Sequence, residues 1–134
     1  MSELDRELAA QWLEKARHDL FTARRVLDAE DGPTDTPCFH AQQTAEKTLK
    51  AILTAAGVRY ERAHDLMPLL EKSASLIPEL SQFREVCAQL SEYAVQVRYP
   101  SETADPDQTE ADNAVRAAAE IFALGARYLD EPEE

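Results

Sequence analysis

Four polar side chains that could together bind an anion recur along the segment from Cys38 to Ala51. They are spaced at i, i+3, i+7 and i+10: His40, Gln43, Lys47 and Lys50. At about 100° per residue, these positions lie close together on one side of an α-helix. Ammonium groups and amide donors on such a stripe would hold a phosphate or another anion through charge and hydrogen bonds.

The distribution of charge along the chain points to the same region. The whole chain has a formal net charge of −12, whereas the segment from Cys38 to His64 carries +2, so the remainder carries −14. A chain this acidic is not a general nucleic-acid binder, because affinity for the phosphate backbone needs a broad cationic surface. An anion is expected at this one relatively electropositive zone. The alternative is that the stripe is only the solvated face of an amphipathic helix.

No other pattern in the sequence indicates a catalytic or cofactor centre. There is no glycine-rich phosphate loop, no metal-ligand spacing and no spacing typical of a catalytic triad. The two cysteines, Cys38 and Cys87, are not spaced like a metal site and are expected to be small buried apolar residues. We therefore expect neither a metal nor a cofactor.

The polar stripe must be positioned by the second of five predicted helices. Pro37 suits the first helical position, Thr36 is placed to cap the helix, and Gly57 is a natural C-terminal stop. Apolar residues recur beside the polar stripe and predict the buried face: Cys38, Ala41, Ala45, Leu49, Ile52, Leu53 and Ala56.

The other four helices are predicted from apolar residues at three- and four-residue steps. Their expected ranges are 5–29, 65–75, 78–99 and 109–129. Pro100 ends the helix over 78–99, because proline lacks an amide proton and moves the preceding residue away from helical angles. Long helices joined by short connections favour antiparallel neighbours. We therefore predict an all-α, up-and-down four-helix bundle with one additional short helix, at 65–75.

Length and composition are those of one globular domain. With 134 residues, 44% hydrophobic and 30% charged, the chain is long enough to enclose a single core. No apolar run of about 18 residues exists, and the acidic N-terminal residues lack the features of a signal peptide. We predict one domain over residues 1–134, with a frayed acidic tail at 130–134, located in the cytoplasm and not in a membrane.

Several blocks of the sequence resemble HEPN domains, in the order in which those domains carry them. The segment CFHAQQTAEKTLKAIL is similar to their second helix, which typically has His-x-x-Gln followed by Glu-Lys and a second Lys. The other blocks are Trp12 with Ala16 and Asp19-Leu20, then His64-Asp65-Leu66, and then Arg98-Tyr99-Pro100. The resemblance covers nearly the whole chain, and ordered blocks are more specific than any single one.

The HEPN resemblance implies partners as well as a fold. It implies a homodimer and a minimal nucleotidyltransferase encoded alongside, often as a toxin–antitoxin pair. HEPN domains also resemble the helical domain of some antibiotic nucleotidyltransferases, which implies nucleotide binding or substrate presentation. No Gly-Ser occurs in the sequence, so the combined Gly-Ser and paired-Asp motif of a nucleotidyltransferase is missing here, and a partner would supply that chemistry.

The predicted ligand site joins the second helix to the Arg-Tyr-Pro block. In an up-and-down bundle the second and fourth helices run parallel, so the end of the fourth helix, predicted over 78–99, lies level with Lys47 and Lys50. We therefore expect a common cleft for a nucleotide, RNA or other anionic ligand, formed by His40, Gln43, Lys47, Lys50, Arg98 and Tyr99.

An enzymatic alternative depends on Arg98. The HEPN resemblance also implies this alternative, because some members of the family are metal-independent ribonucleases in which four to six residues separate an arginine from a histidine. Arg98 has the expected position, but no histidine follows His64. Arg59 and His64 are also separated by four residues, but they lie in the connection after the second helix and not in the late position of the ribonuclease members. Without an acid or base beside Arg98, cleavage of RNA has no obvious proton shuttle.

Three functions therefore remain open from the sequence. The first is a binding and interaction module, the second a metal-independent RNase toxin that uses Arg98, and the third a purely structural dimerisation bundle. The missing late histidine favours the first and third functions over the second, and no catalytic residue other than Arg98 is proposed.

Overall fold

A computed structural model describes residues 2–62, 64–94 and 104–133. Within these ranges the chain forms α-helices and one 3₁₀-helix, without a strand, which confirms the all-α prediction. The α-helices are α1 (Glu3–Asp28), α2 (Asp35–Ala56), α3 (Leu66–Ala74), α4 (Arg84–Ser91) and α5 (Gln108–Tyr128), and the 3₁₀-helix is Pro78–Phe83. None of the described helices is long and apolar enough to cross a membrane.

The core forms around α2, which contacts each of the other α-helices. Its predicted apolar face is buried, from Cys38 near its start to Leu53 in its last turn. The stripe predicted on α1 packs against this face, with Leu13 and Leu20 almost completely buried. Burial on several sides of α2 explains why its polar residues find partners inside the protein.

The start of α2 differs by two residues from the prediction. The helix begins at Asp35 with Thr34 at the N-cap, instead of beginning at Pro37 with Thr36 as its cap. Pro37 lies in the first turn, where backbone amides have no partner within the helix, so a proline is tolerated there. The predicted stop is confirmed, because Gly57 has φ 71° and ends the helix in the left-handed conformation.

The helix predicted over 78–99 is not one α-helix in its described part. Pro78–Phe83 is a 3₁₀-helix, and α-helical geometry runs only from Arg84 to Ser91. A 3₁₀ turn is common at the beginning of an α-helix. The hydroxyl of Ser91, the last residue of α4, donates to the Cys87 carbonyl at 2.9 Å. Residues 95–99, the predicted end of this helix, lie outside the described residues.

α5 begins at Gln108, one residue before the predicted range of 109–129. The Asp107 carboxylate accepts from the Glu110 amide and caps the helix. Gly125 lets α5 approach α2 closely, since a Cβ atom there would lie 2.4 Å from Thr48 Cγ2. α5 therefore needs a residue without a side chain at this point.

Candidate functional site

The candidate site lies where α1 and α2 pack antiparallel. Trp12, near the start of α1, faces Lys50 near the end of α2. Asp19, further along α1, faces His40 and Lys47, which precede Lys50 on α2. The short connection between the helices sets this direction.

Asp19, His40 and Lys47 form one ion-pair cluster, here called the Asp19 cluster. His40 Nδ1 lies 2.8 Å from Asp19 Oδ1, and Lys47 Nζ donates to Asp19 Oδ2 at 2.6 Å. The side chains of His40 and Lys47 are 21% and 22% exposed, whereas that of Asp19 is 12% exposed. The carboxylate is thus covered by the two groups that bind it, and those two groups still reach solvent.

The Asp19 cluster leaves hydrogen-bonding capacity that faces outward. An ionised carboxylate only accepts, so the proton between His40 and Asp19 belongs to Nδ1, and Nε2 remains for another partner. The Lys47 ammonium group has three donors and gives one to Asp19. A ligand with acceptor atoms could therefore bind without breaking either pair.

Glu46 is the centre of a second group, the Glu46 cluster, with Gln42, Lys50 and His64. Its Oε2 accepts from Lys50 Nζ at 3.0 Å, and its Oε1 lies 3.1 Å from His64 Nδ1 and 3.2 Å from Gln42 Nε2. Gln42 Nε2 also donates to the His64 backbone carbonyl at 3.0 Å. These bonds fix the connection after α2 against the helix.

Burial and hydrogen bonding act in opposite directions on the Glu46 carboxyl, whose side chain is 5% exposed. Burial raises its pKa, but the hydrogen bonds from Lys50, His64 and Gln42 together outweigh burial, and the pKa is lowered from 4.5. Glu46 is therefore ionised at neutral pH and holds its three partners as an anion.

Lys50 is enclosed on two sides. Its ammonium group lies between the Glu46 carboxylate and the Trp12 ring, 5.2 Å from the ring centroid, and its side chain is 11% exposed. Both contacts stabilise a cation. The Glu46 carboxylate therefore balances the charge of Lys50, and most of the Lys50 side chain is already covered.

The structure brings some of the predicted site residues together. His40 and Lys47 share one carboxylate, and half-buried Gln43 donates to Gln42 Oε1 at 2.6 Å, next to Glu46. The predicted site residues Arg98 and Tyr99 lie outside the described residues.

The flanks of the undescribed segment 95–103 are joined to each other. The Tyr93 hydroxyl, at the end of α4, donates to the carboxylate of Glu110 in the first turn of α5. Burial, together with this carboxylate, raises the pKa of Tyr93. The bond holds the end of α4 beside the start of α5.

Sequence reasoning missed the two carboxylates that organise the site. Glu46 could have been found, because Glu46 and Lys50 have the i, i+4 spacing of a helical ion pair. Asp19 gave a weaker signal: it lies three residues after Ala16 and four before Ala23, on the buried face of α1. A charged residue at such a position requires a partner.

The chemistry available is that of paired acids and bases. His40 and His64 each have Nδ1 next to a carboxylate, the arrangement that orients imidazole for proton exchange at Nε2. Among the described residues, no three His, Cys, Asp or Glu side chains are grouped so as to hold a metal ion.

The family model described as "HEPN domain" matches residues 9–128, most of the chain. The chain, whose described part is all-α, therefore belongs to the HEPN family. Among solved structures, the crystal structure of TT1696 from Thermus thermophilus is similar, with 31% sequence identity and a TM-score of 0.74. The match covers 90% of this chain and 97% of that one. A search of curated proteins found no match.

Proposed function

We propose that this HEPN chain is a binding and interaction module, and that the α1–α2 face binds a nucleotide or another anionic ligand. The observation that carries the proposal is the Asp19 cluster, in which a carboxylate orients His40 and Lys47 while both remain partly exposed. Side chains held in place before binding lose little entropy when a ligand arrives.

In this proposal the ligand contacts come from a few side chains. Lys47 supplies an ammonium group with donors that Asp19 does not use, and Gln43 borders the same face of α2. With the His40 proton on Nδ1, Nε2 accepts a hydrogen bond from a hydroxyl or amino group of the ligand. Lys50, paired with Glu46 and 11% exposed, supports this face from beneath the surface. Arg98 and Tyr99 would contribute from the segment that follows α4.

Calorimetric titration with mononucleotides and short RNAs tests the binding proposal. Lys47→Gln and Arg98→Ala should weaken binding and its dependence on salt, because each removes a charge that attracts the ligand. Lys15→Gln is the matched control, since it removes the same charge from an exposed position on α1. Absence of heat with every ligand, together with a destabilised Arg98→Ala protein, would leave the structural bundle as the better explanation.

The family membership supports a second part of the proposal, a two-gene module. The partner would be a minimal nucleotidyltransferase, which supplies the catalytic carboxylates that this chain lacks, as in toxin–antitoxin pairs. Expression of the chain with and without the neighbouring gene, followed by affinity purification and growth measurements, tests this part. A neighbour that neither co-purifies nor changes growth would contradict it.

We also propose a homodimer, the commonest closed assembly. The large apolar side chains of Leu4 and Leu8, about one helical turn apart, are exposed on α1, which supports a surface for association. Light scattering should give twice the chain mass of 15.0 kDa. The monomer mass over a wide concentration range would contradict this proposal.

The histidine–carboxylate pairs favour a second candidate, a metal-independent RNase that uses Arg98. His40 or His64 would move the proton that the missing late histidine would otherwise move. Cleavage of labelled RNA in the presence of a chelator, compared among wild type, His40→Ala, His64→Ala and Arg98→Ala, tests it. Equal cleavage by all four proteins would indicate a contaminant and contradict this function.

A further inference from the structure

A groove lies on the side of α1 away from Asp19, and it is here called the α1 arginine groove. Arg17, Phe21 and Arg24 recur at steps of four and three residues and form one stripe. Asp19, two residues after Arg17, lies about 200° around the helix from it. The groove therefore does not belong to the Asp19 cluster.

The groove has a volume of about 470 Å³ and is open to solvent. Its walls include three guanidinium groups and one carboxylate of α1 together with two aromatic rings: Arg17, Arg24, Arg25, Asp28, Phe21 and Phe122. The ring of Phe21 is 59% exposed, unusual for a large apolar side chain. The groove thus combines guanidinium groups with an accessible aromatic surface.

The positive charge in this groove is only partly neutralised. Arg17 pairs with Glu14 and lies over the Phe122 ring, while Arg25 lies over the Phe21 ring, 4.9 Å from its centroid. Within the described ranges Arg24 makes neither a hydrogen bond nor an ion pair. In a chain of net charge −12, this concentration of guanidinium groups indicates a surface that receives an anion.

The acidic segment 130–133 turns back toward this groove. Its turn is a Schellman motif, in which the Glu131 amide donates to the Ala126 carbonyl and the Asp130 amide donates to that of Arg127. Asp130 takes the left-handed position with φ 57°, which aspartate tolerates better than most residues. The turn reverses the chain and sends the following residues back along α5.

Two contacts fix the segment after the turn. Arg17 Nη2 donates to the Pro132 carbonyl at 2.9 Å, and Glu133 pairs with Arg127 at 3.2 Å while lining the groove. The sequence predicts a frayed, solvated tail here. Residues 130–133 are exposed, and these contacts also hold part of the segment against the bundle.

We propose that the α1 arginine groove is a binding site for an acidic, extended, proline-containing peptide segment of a partner protein, and that segment 130–133 occupies it in cis. A peptide fits better than a nucleotide, because the contacts present are a backbone carbonyl and a carboxylate. Acidic side chains of the bound peptide would reach Arg24 and Arg25, and its apolar atoms would pack on Phe21.

The test uses a fluorescent peptide with the sequence of residues 129–134 and measures its anisotropy. A variant of the whole chain carries Glu131→Gln, Glu133→Gln and Glu134→Gln, which remove three of the four acidic side chains of residues 130–134. This variant, here called the neutralised protein, should bind the peptide at least about tenfold more tightly than wild type, since an attached competitor acts at high effective concentration. The same peptide with glutamine in place of glutamate is the control ligand.

Substitutions in the groove locate the binding. Arg24→Gln in the neutralised protein should lower peptide affinity, whereas Lys15→Gln, which removes the same charge elsewhere on α1, should not. Arg24 makes no hydrogen bond or ion pair within the described residues, so this variant keeps the fold intact. Arg17→Gln is a second variant with the same expected loss, and its circular dichroism spectrum checks its fold.

Four results would overturn the proposal. The first is the absence of peptide binding by the neutralised protein at about 1 mM peptide. The second is equal binding of the glutamine peptide, and the third is equal binding by the Arg24→Gln protein. The fourth is tighter binding of a mononucleotide that Arg24→Gln abolishes, which would assign the groove to phosphate. None of these results depends on a ligand at the Asp19 cluster.

Discussion

The Asp19 carboxylate on α1 accepts a 2.6 Å hydrogen bond from the ammonium group of Lys47 on α2. The carboxylate side chain is 12% exposed, so its charge is shielded from water by Lys47 and by His40. This pair links the two helices that contribute most to the core and orients two groups of the proposed ligand site. It also changes what is expected of a substitution at Lys47.

Lys47→Ala should destabilise the protein. The sequence alone presents Lys47 as a surface ligand contact whose removal leaves stability nearly unchanged. With Asp19 largely buried, the substitution leaves a carboxylate with one partner, and we expect the free energy of unfolding to fall by about 1–3 kcal/mol. Urea unfolding measures the loss, and exposed Lys15→Ala should change stability by less than about 0.5 kcal/mol.

A double-mutant cycle shows whether the loss comes from the pair. Asp19→Asn removes the charge that Lys47 balances, so Lys47→Ala should cost less in the Asp19→Asn protein than in wild type. Strictly additive losses would mean that the two side chains do not stabilise each other.

Glu46→Gln should show a pH-dependent loss of stability. The pKa of Glu46 is lowered in the folded protein, because hydrogen bonds from Lys50, His64 and Gln42 outweigh the effect of burial, which alone would raise it. A lowered pKa stabilises the fold above the unfolded-state value of about 4.3, and this stabilisation disappears as the pH falls through the folded-state pKa.

The measurement is urea unfolding of wild type and Glu46→Gln between about pH 3 and pH 7. The stability difference should be largest near neutrality, constant down to about pH 5, and smaller as Glu46 protonates below that. Glu85→Gln, at an exposed position on α4, is the control. A difference that grows toward acid pH would contradict the direction of the shift.

Gly125→Ala should destabilise the contact between α5 and α2. The new Cβ would lie 2.4 Å from Thr48 Cγ2, and overpacking of this kind costs about 1–3 kcal/mol. The higher helix propensity of alanine offsets about 1 kcal/mol of this cost. Thermal unfolding should therefore show a lower midpoint.

Thr48→Ser is the matched test of that mechanism. Serine lacks Cγ2 but keeps the hydroxyl that donates to the Thr44 carbonyl at 2.7 Å. Gly125→Ala should therefore be better tolerated in the Thr48→Ser protein. The same loss in both backgrounds would show that the methyl group is not the obstacle.

Cys87 should be unreactive in the folded protein. The residue is fully buried, and burial raises the pKa of its thiol to about 12, so almost no thiolate exists at neutral pH. In a Cys38→Ala protein, a disulfide reagent at about pH 8 should label Cys87 only after unfolding in guanidinium chloride. Cysteine introduced at exposed Ser81 should react at once, and equally fast labelling of Cys87 would contradict its burial.

The helices could be predicted closely because their signals are local. Apolar periodicity predicted α1 over 5–29 and α5 over 109–129, against Glu3–Asp28 and Gln108–Tyr128 in the structure. The ordered blocks also predicted the HEPN family, which the comparison confirms. The α-helical stretch predicted from Pro78 begins only at Arg84, because the choice between 3₁₀ and α geometry depends on packing as well as on periodicity.

The sequence by itself determined that His40 and Lys47 share a face of α2, since seven residues make two helical turns. Only the tertiary structure decided that both bind Asp19, because this depends on how far α1 slides along α2 when their apolar stripes pack. The return of segment 130–133 to Arg17 depends likewise on the packing of α1 against α5. Spacing along one helix fixes which side chains are neighbours on it, whereas the register between helices fixes which charges meet.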